Sequence, residues 1–281
     1  MIEYLVFAAV FGLLLLGVHR KVIARIQTRP GPPVWQEILH ALKFSFKSTW
    51  VPKTASGTLY VAVVLIGIGI WSAALFVVLA GESILILFAI YMLHKVVEHG
   101  YGLSSGSPYG KFGGVRSVIS AASEIPLFVT IAAIYLFTGS LILRDITAYQ
   151  GIHGPLLLIA PPVAIAMYIV VLSKMPYGPF SIVESKELVS GYKTEHFGVW
   201  RAGLAVTDGL KTFVLLYAFV AIFIGAVPFW AALVIMTAVL ISLSFVCAIT
   251  PMLSPFDSVT IQGLITGLML VYVVCLWWVM P

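Results

Sequence analysis

Two acids in this chain lie where an acid is expensive. Glu124 and Asp208 stand inside long apolar stretches, and a charge near the centre of a bilayer helix costs about 2.5–3.5 kcal/mol on insertion scales. Glu124 has no countercharge three or four residues away on its own helix. A buried carboxylate without one favours its protonated form, the property a proton relay needs. Asp208 has Lys211 three residues on, which puts both on one helical face. The pair reads either as mutually neutralising or as part of a relay. Glu82, between two apolar runs, reads as a solvated turn residue, and His94 and Glu98 sit one turn apart at the inner end of a run. A third group, Glu184, Glu187 and Glu195, is interleaved with Lys174, Lys186 and Lys193; by itself it is a solvated mixed-charge loop. No metalloprotease, phosphate-loop, nucleophile-elbow or dinucleotide pattern is present, so no self-contained catalytic centre is visible. Cys247 and Cys275 lie in apolar runs without metal-ligand spacing.

The elements that must carry these residues follow from composition. Of 281 residues, 61% are hydrophobic and 10% charged, with mean hydropathy +1.08. A soluble domain is roughly a quarter charged, so a soluble enzyme, a nucleic-acid binder and a disordered chain are excluded. A bilayer span takes about 20 apolar residues, and apolar runs place spans at Tyr4–Val18, Thr58–Ala80, Ser83–His94, Val118–Leu143, Pro155–Ser173, Leu204–Val227, Phe229–Ala248 and Val259–Val279. The fold class expected is all-α integral membrane, one polytopic domain over 1–281 with about eight transmembrane helices. No cleavable signal peptide is expected. Asparagine is absent, in keeping with a thermophilic source.

The stretches 19–57, 95–117 and 174–203 hold fourteen of the sixteen basic residues. The positive-inside rule puts them, with the 250–258 connection, in the cytoplasm and both termini outside a plasma membrane. Between Pro33 and Pro52, Trp35, Ile38, Leu39, Leu42, Phe46 and Trp50 recur at helical spacing, opposite Gln36, His40, Lys43 and Lys47. That reads as an amphipathic helix in the cytoplasmic interface. It either anchors its loop or walls a cavity, with His40 and Lys43 then facing a cleft. Pro126 and the Gly-rich 101–114 allow a broken or tilted helix around Glu124.

Several motifs resemble complex I subunit 1. Ala24-Arg25-Ile26-Gln27-Thr28-Arg29-Pro30-Gly31-Pro32-Pro33 is similar to its G-R-I-Q-x-R-x-G-P motif, and Pro179-Phe180, Glu184, Glu187-Leu188-Val189-Ser190-Gly191-Tyr192, Thr194-Glu195 and Gly198 are similar to its long acidic loop. Glu124 matches a family glutamate, and Asp208 falls where the family has one. Gly106-Ser107-Pro108-Tyr109-Gly110, followed by Arg116 and Glu124-Ile125-Pro126, looks more like the membrane-bound hydrogenase and sulfane reductase branch. Lys174, Tyr177 and Ser181 stand where the family has glutamate, arginine and aspartate, and His40 replaces a common aspartate; these departures argue against a standard quinone headgroup site.

The resemblance implies the membrane heel of a ferredoxin-linked respiratory complex, with no catalytic centre and no cofactor of its own. Soluble redox-arm subunits would carry iron–sulfur clusters and, in the hydrogenase branch, a nickel–iron centre; antiporter-like membrane subunits would be its neighbours in the bilayer. Nucleic acid is not a partner. Glu184, Glu187 and Glu195 would form the mouth of an ion path continued by Glu124 and Asp208, with Lys211 and Lys174 tuning proton affinity. Arg25, Arg29 and Arg116 would organise the loops, Arg25 and Arg29 by pairing with those carboxylates or a partner's. The alternatives are a quinone-binding subunit of a complex I type dehydrogenase, a stand-alone secondary transporter, and a structural adaptor. Inverted repeats would favour the transporter, and none is seen.

Overall fold

The computed structural model describes residues 2–121, 124–184 and 191–279, the side chains of 124, 184 and 279 excepted. Among them the chain is helical throughout, with no strand. The helices are α1 (Ile2–Ile26), α2 (Gln36–Ser45), α3 (Gly57–Ala80), α4 (Ile84–Ser104), α5 (Pro108–Ser120), α6 (Glu124–Thr138), α7 (Leu143–His153), α8 (Leu156–Ile159), α9 (Pro161–Leu172), α10 (Val199–Phe223), α11 (Phe229–Ile249) and α12 (Pro255–Val279). Two 3₁₀ turns, Ile182–Glu184 and Gly191–Glu195, lie between α9 and α10.

Seven segments are long and apolar enough to cross a bilayer: α1, α3, α4, the α5–α6 stretch, α10, α11 and α12. The remaining apolar segment is shorter than the span expected over Pro155–Ser173. It comes as α8 and α9, interrupted at Ala160 (φ −130°, ψ 62°). Pro161 and Pro162 cause the interruption, since a proline disfavours helical geometry in the residue before it and donates no N–H. Leu156 N bonds instead to Gln150 Oε1 at 3.2 Å.

Three other limits differ from expectation. α4 does not stop at His94 but runs on to Ser104, so much of the 95–117 stretch, read as a loop, is helix. The span expected over Val118–Leu143 comes as the end of α5 and all of α6, and Leu143 opens α7. The amphipathic helix is α2, shorter than its pattern, with Trp35, Leu39, Leu42, Phe46 and Trp50 exposed as an interfacial helix requires.

α10 is the centre of the bundle: 78% of its apolar window is buried, against 17% for α12 at the edge. It packs chiefly on α1 and α3. Contact with α1 is backbone on backbone. A Cβ added at Gly12 would lie 1.9 Å from the Gly209 carbonyl oxygen, so the small residues there set the interhelical distance. At the far end of the bundle, Leu143 N and Arg144 N donate to the carbonyls of Glu82 and Gly81 (both 3.1 Å), tying the start of α7 to the α3–α4 turn.

Candidate functional site: a buried charged chamber

Charge in this chain is gathered rather than spread. One cavity of about 130 Å³, between α1, α2, α4, α10 and residues of 173–183 and 192–193, is lined by Arg20, Glu37, Lys95, Glu98, Lys174, Lys193, Arg201, Asp208 and Lys211. These are nine of the chain's 27 charged residues (16 basic, 11 acidic).

Two carboxylates anchor it. Asp208 accepts from Lys193 Nζ at 2.7 Å on one oxygen and from Lys211 Nζ at 2.9 Å on the other. The α10 spacing makes Lys211 a same-face neighbour, whereas Lys193 arrives from the second 3₁₀ turn. Glu98 accepts from Lys95 Nζ at 2.6 Å, and its other oxygen lies 3.2 Å from His94 Nε2. Lys95 Nζ also donates to Ser120 Oγ of α5 at 2.7 Å. Behind His94, the Trp71 indole N–H donates to Nδ1 at 3.1 Å. Indole has no acceptor, so Nδ1 is unprotonated and the ring hydrogen of neutral His94 sits on Nε2, facing Glu98. Both buried carboxylates therefore have a countercharge, the condition for keeping ions in low dielectric; losing one partner of such a pair costs about 3–5 kcal/mol.

Nearer the surface, Arg20 pairs with Glu37 of α2 and lies 5.6 Å from the centre of the Tyr177 ring. Lys174 is 9% exposed with its ammonium 4.9 Å from the Tyr91 ring centre. His19, fully buried in α1, ties two elements to this wall through Nε2 to the Pro176 carbonyl and Nδ1 to Ser244 Oγ, both 2.8 Å.

The 3₁₀ turn that delivers Lys193 is itself held firmly. Glu195 Oε1 accepts from Ser107 Oγ at 2.8 Å, and the Glu195 carbonyl accepts from Tyr60 Oη at 3.0 Å. His196 stacks on Tyr60 with ring centres 4.4 Å apart and donates from Nδ1 to the Tyr192 carbonyl at 3.0 Å. Burial pulls its pKa down to about 4; that hydrogen bond opposes the shift and Arg201 adds to it.

The expected site residues divide. Asp208, Lys211 and Lys174 line the chamber, and Glu195 braces its wall. The side chains of Glu124 and Glu184, and all of Glu187, lie outside the described residues. Arg116 reaches the Ile182 carbonyl at 3.4 Å. Among the described residues Arg25 and Arg29 pair with no carboxylate. α1 carries Arg25 to its exposed end, and Arg29 donates to Gln27 Oε1. Nor do His40 and Lys43 line the cavity: Lys43 is exposed, His40 lies 4.0 Å from Glu37, and Glu37 is the α2 side chain that reaches the chamber. Sequence reasoning misses Lys95, Lys193, Arg20, Glu37 and Arg201. For Lys95 the signal is present, since His94, Lys95 and Glu98 share one face of α4.

Among the described residues no group of three or more His, Cys, Asp or Glu could hold a metal ion. A many-helix membrane protein with a third of its charged residues around one cavity is thus defined. Comparison with known proteins gives the family. The NADH dehydrogenase family model matches residues 1–280. A Methanocaldococcus jannaschii protein named as an NADH-ubiquinone oxidoreductase is 50% identical over 273 residues, 96% of this chain and 92% of that protein. An NADH-quinone oxidoreductase subunit from Bacillus cytotoxicus is 28% identical over 77% of this chain and 71% of its own length. The same fold occurs in the membrane-bound sulfane sulfur reductase, an archaeal respiratory membrane complex, at TM-score 0.85 and 24% identity over 97% of both chains. The chain belongs to the NADH dehydrogenase family, and it is a membrane subunit of the complex-I-related kind.

Proposed function

We propose that this chain is the membrane heel of a ferredoxin-linked, complex-I-related complex of the hydrogenase or sulfur-reducing branch, and that the chamber couples electron transfer in a soluble arm to ion movement. In this reading the charged loops face the cytoplasm and carry the soluble arm with its iron–sulfur clusters, the termini lie outside the plasma membrane, and antiporter-like subunits flank the chain. The observation that carries it is the double clamp on Asp208. One lysine is fixed on the same helix, and the other is delivered by a separate 3₁₀ turn. A movement of that turn which withdraws Lys193 leaves Asp208 with one cation and favours proton uptake; its return expels the proton. Glu98 shares the cavity, paired with the Lys95 ammonium and facing the neutral His94 ring, so protonation of the two acids is linked. Glu124, Glu184 and Glu187 extend the path by resemblance alone.

The test is reconstitution of the intact complex in sealed vesicles, with electron transfer and ion translocation measured together. D208N and E98Q are expected to assemble, yet to translocate at least about tenfold less per electron; E124Q is expected to follow them. Full translocation in D208N would overturn the relay. A quinone-binding subunit is favoured by the names of the relatives and opposed by Lys174, Tyr177 and Ser181 on the chamber wall. Inhibition by quinone-site ligands would decide for it.

A further inference from the structure

Another cavity lies at the opposite end of the bundle from the chamber. It measures about 350 Å³, within the range of small-molecule sites. Its walls come from the last turn of α3, the first turn of α7 and the end of α10, with Leu143, Val220, Val227 and Ala232 among them and Tyr217 at one side. Three polar side chains line it, Thr147, Tyr217 and Arg144, and the charged one is Arg144. One guanidinium nitrogen, Nη2, donates to the Ala80 carbonyl at 2.9 Å, which fixes the side chain there. No carboxylate lies within 4 Å of Arg144 in the described structure: Asp145 accepts from Ser140 Oγ at 2.8 Å, and Glu82 on the neighbouring turn makes no ion pair.

Two further observations say what such a cavity holds. Arg144 is the sole Lys or Arg among the described residues at this end of the bundle, so its charge is not part of a general basic surface. Trp230, 74% exposed on the first turn of α11 two residues from the wall residue Ala232, marks the headgroup level, where tryptophans concentrate. The cavity therefore opens at the depth where lipid changes from chain to headgroup. Walls mostly of apolar side chains, with Thr147 and Tyr217 among them and one guanidinium without a carboxylate partner at that depth, complement one amphipath, a hydrocarbon chain ending in a phosphate, which arginine binds through paired N–H donors.

We propose that this cavity is a phospholipid site, with Arg144 on the headgroup phosphate and an acyl or isoprenoid chain against the apolar walls. Native mass spectrometry of the full chain in detergent, titrated with a short-chain phosphatidylglycerol, tests it. One lipid is expected to bind at saturation, at least about tenfold more weakly to R144Q than to the original protein, with R144K recovering part of the loss. A226W, which plugs the rim without touching Arg144, is expected to block binding as well. Equal binding by the original protein, R144Q and A226W would mean surface lipid only and would overturn the site. Displacement of the lipid by millimolar inorganic phosphate would overturn it too, by showing that Arg144 holds a free anion. Neither variant touches the charged chamber, so the outcome is independent of the coupling role.

Discussion

At the scale of single residues, His196 shows how the chamber wall depends on pH. Its imidazole is buried against Tyr60 and held neutral, with its pKa lowered to about 4 by burial. In an unfolded or detached segment the ring returns to its usual value near 6.5 and binds a proton that the packed form refuses. The packed form is therefore fully favoured above about pH 6.5 and loses stability as pH falls from there towards 4, by on the order of 3 kcal/mol in all. Thermal melts of the purified protein are expected to drop between pH 6.5 and 4, and to drop less in H196F, which keeps the stacking ring without a titrating nitrogen. A pH slope identical in the two proteins would refute this. At the same scale, Asp208 and Lys211 were legible because three residues on a helix bring side chains together whatever the rest of the fold does. Lys193 was not, because it reaches Asp208 from a separate 3₁₀ turn and only the tertiary fold unites them.

At the scale of elements, the spans are set by hydropathy and their contacts by small residues. Gly12 lets α1 meet α10 backbone to backbone, whereas a Cβ at Gly263 or Gly267 of α12 would meet nothing within 4 Å. G12A drives a methyl into a carbonyl that cannot rotate away, and is expected to cost at least about 3 kcal/mol, the upper end of overpacking. G263A is expected to leave the melting midpoint unchanged in detergent, where no neighbour covers α12. Comparable yields and midpoints for both variants would contradict the packing described. The apolar runs were readable because a bilayer demands continuous hydrophobicity. The inner half of α4 was hidden because Lys95, Glu98 and two glycines interrupt its apolar run, and in the fold Lys95 and Glu98 neutralise each other. The α8–α9 interruption was written in the two prolines, but their effect was masked by the apolar residues on either side.

For the molecule as a whole, two cavities stand at opposite ends of one bundle, nine charged side chains lining one and Arg144 the other. This asymmetry matches the basic-residue count that orients the chain. In a C275S background, a membrane-impermeant maleimide added outside right-side-out vesicles is expected to modify A226C and not K53C. The reverse pattern would invert the topology. The family fold was legible from two motifs, but the way the chamber closes was not. The motifs record residues along the chain, while the cavity is made by α1, α2, α4 and α10 crossing.

Trp71 gives the chamber a property of its own. Passing a proton along a hydrogen-bonded row requires every member to accept on one side and donate on the other. Indole donates and cannot accept, and its N–H occupies Nδ1, the one lone pair of a neutral His94 whose ring hydrogen is on Nε2. His94 then has nothing with which to take a proton from the Glu98 side. The branch is closed like a cul-de-sac, and any conducting route across the membrane has to leave the chamber elsewhere.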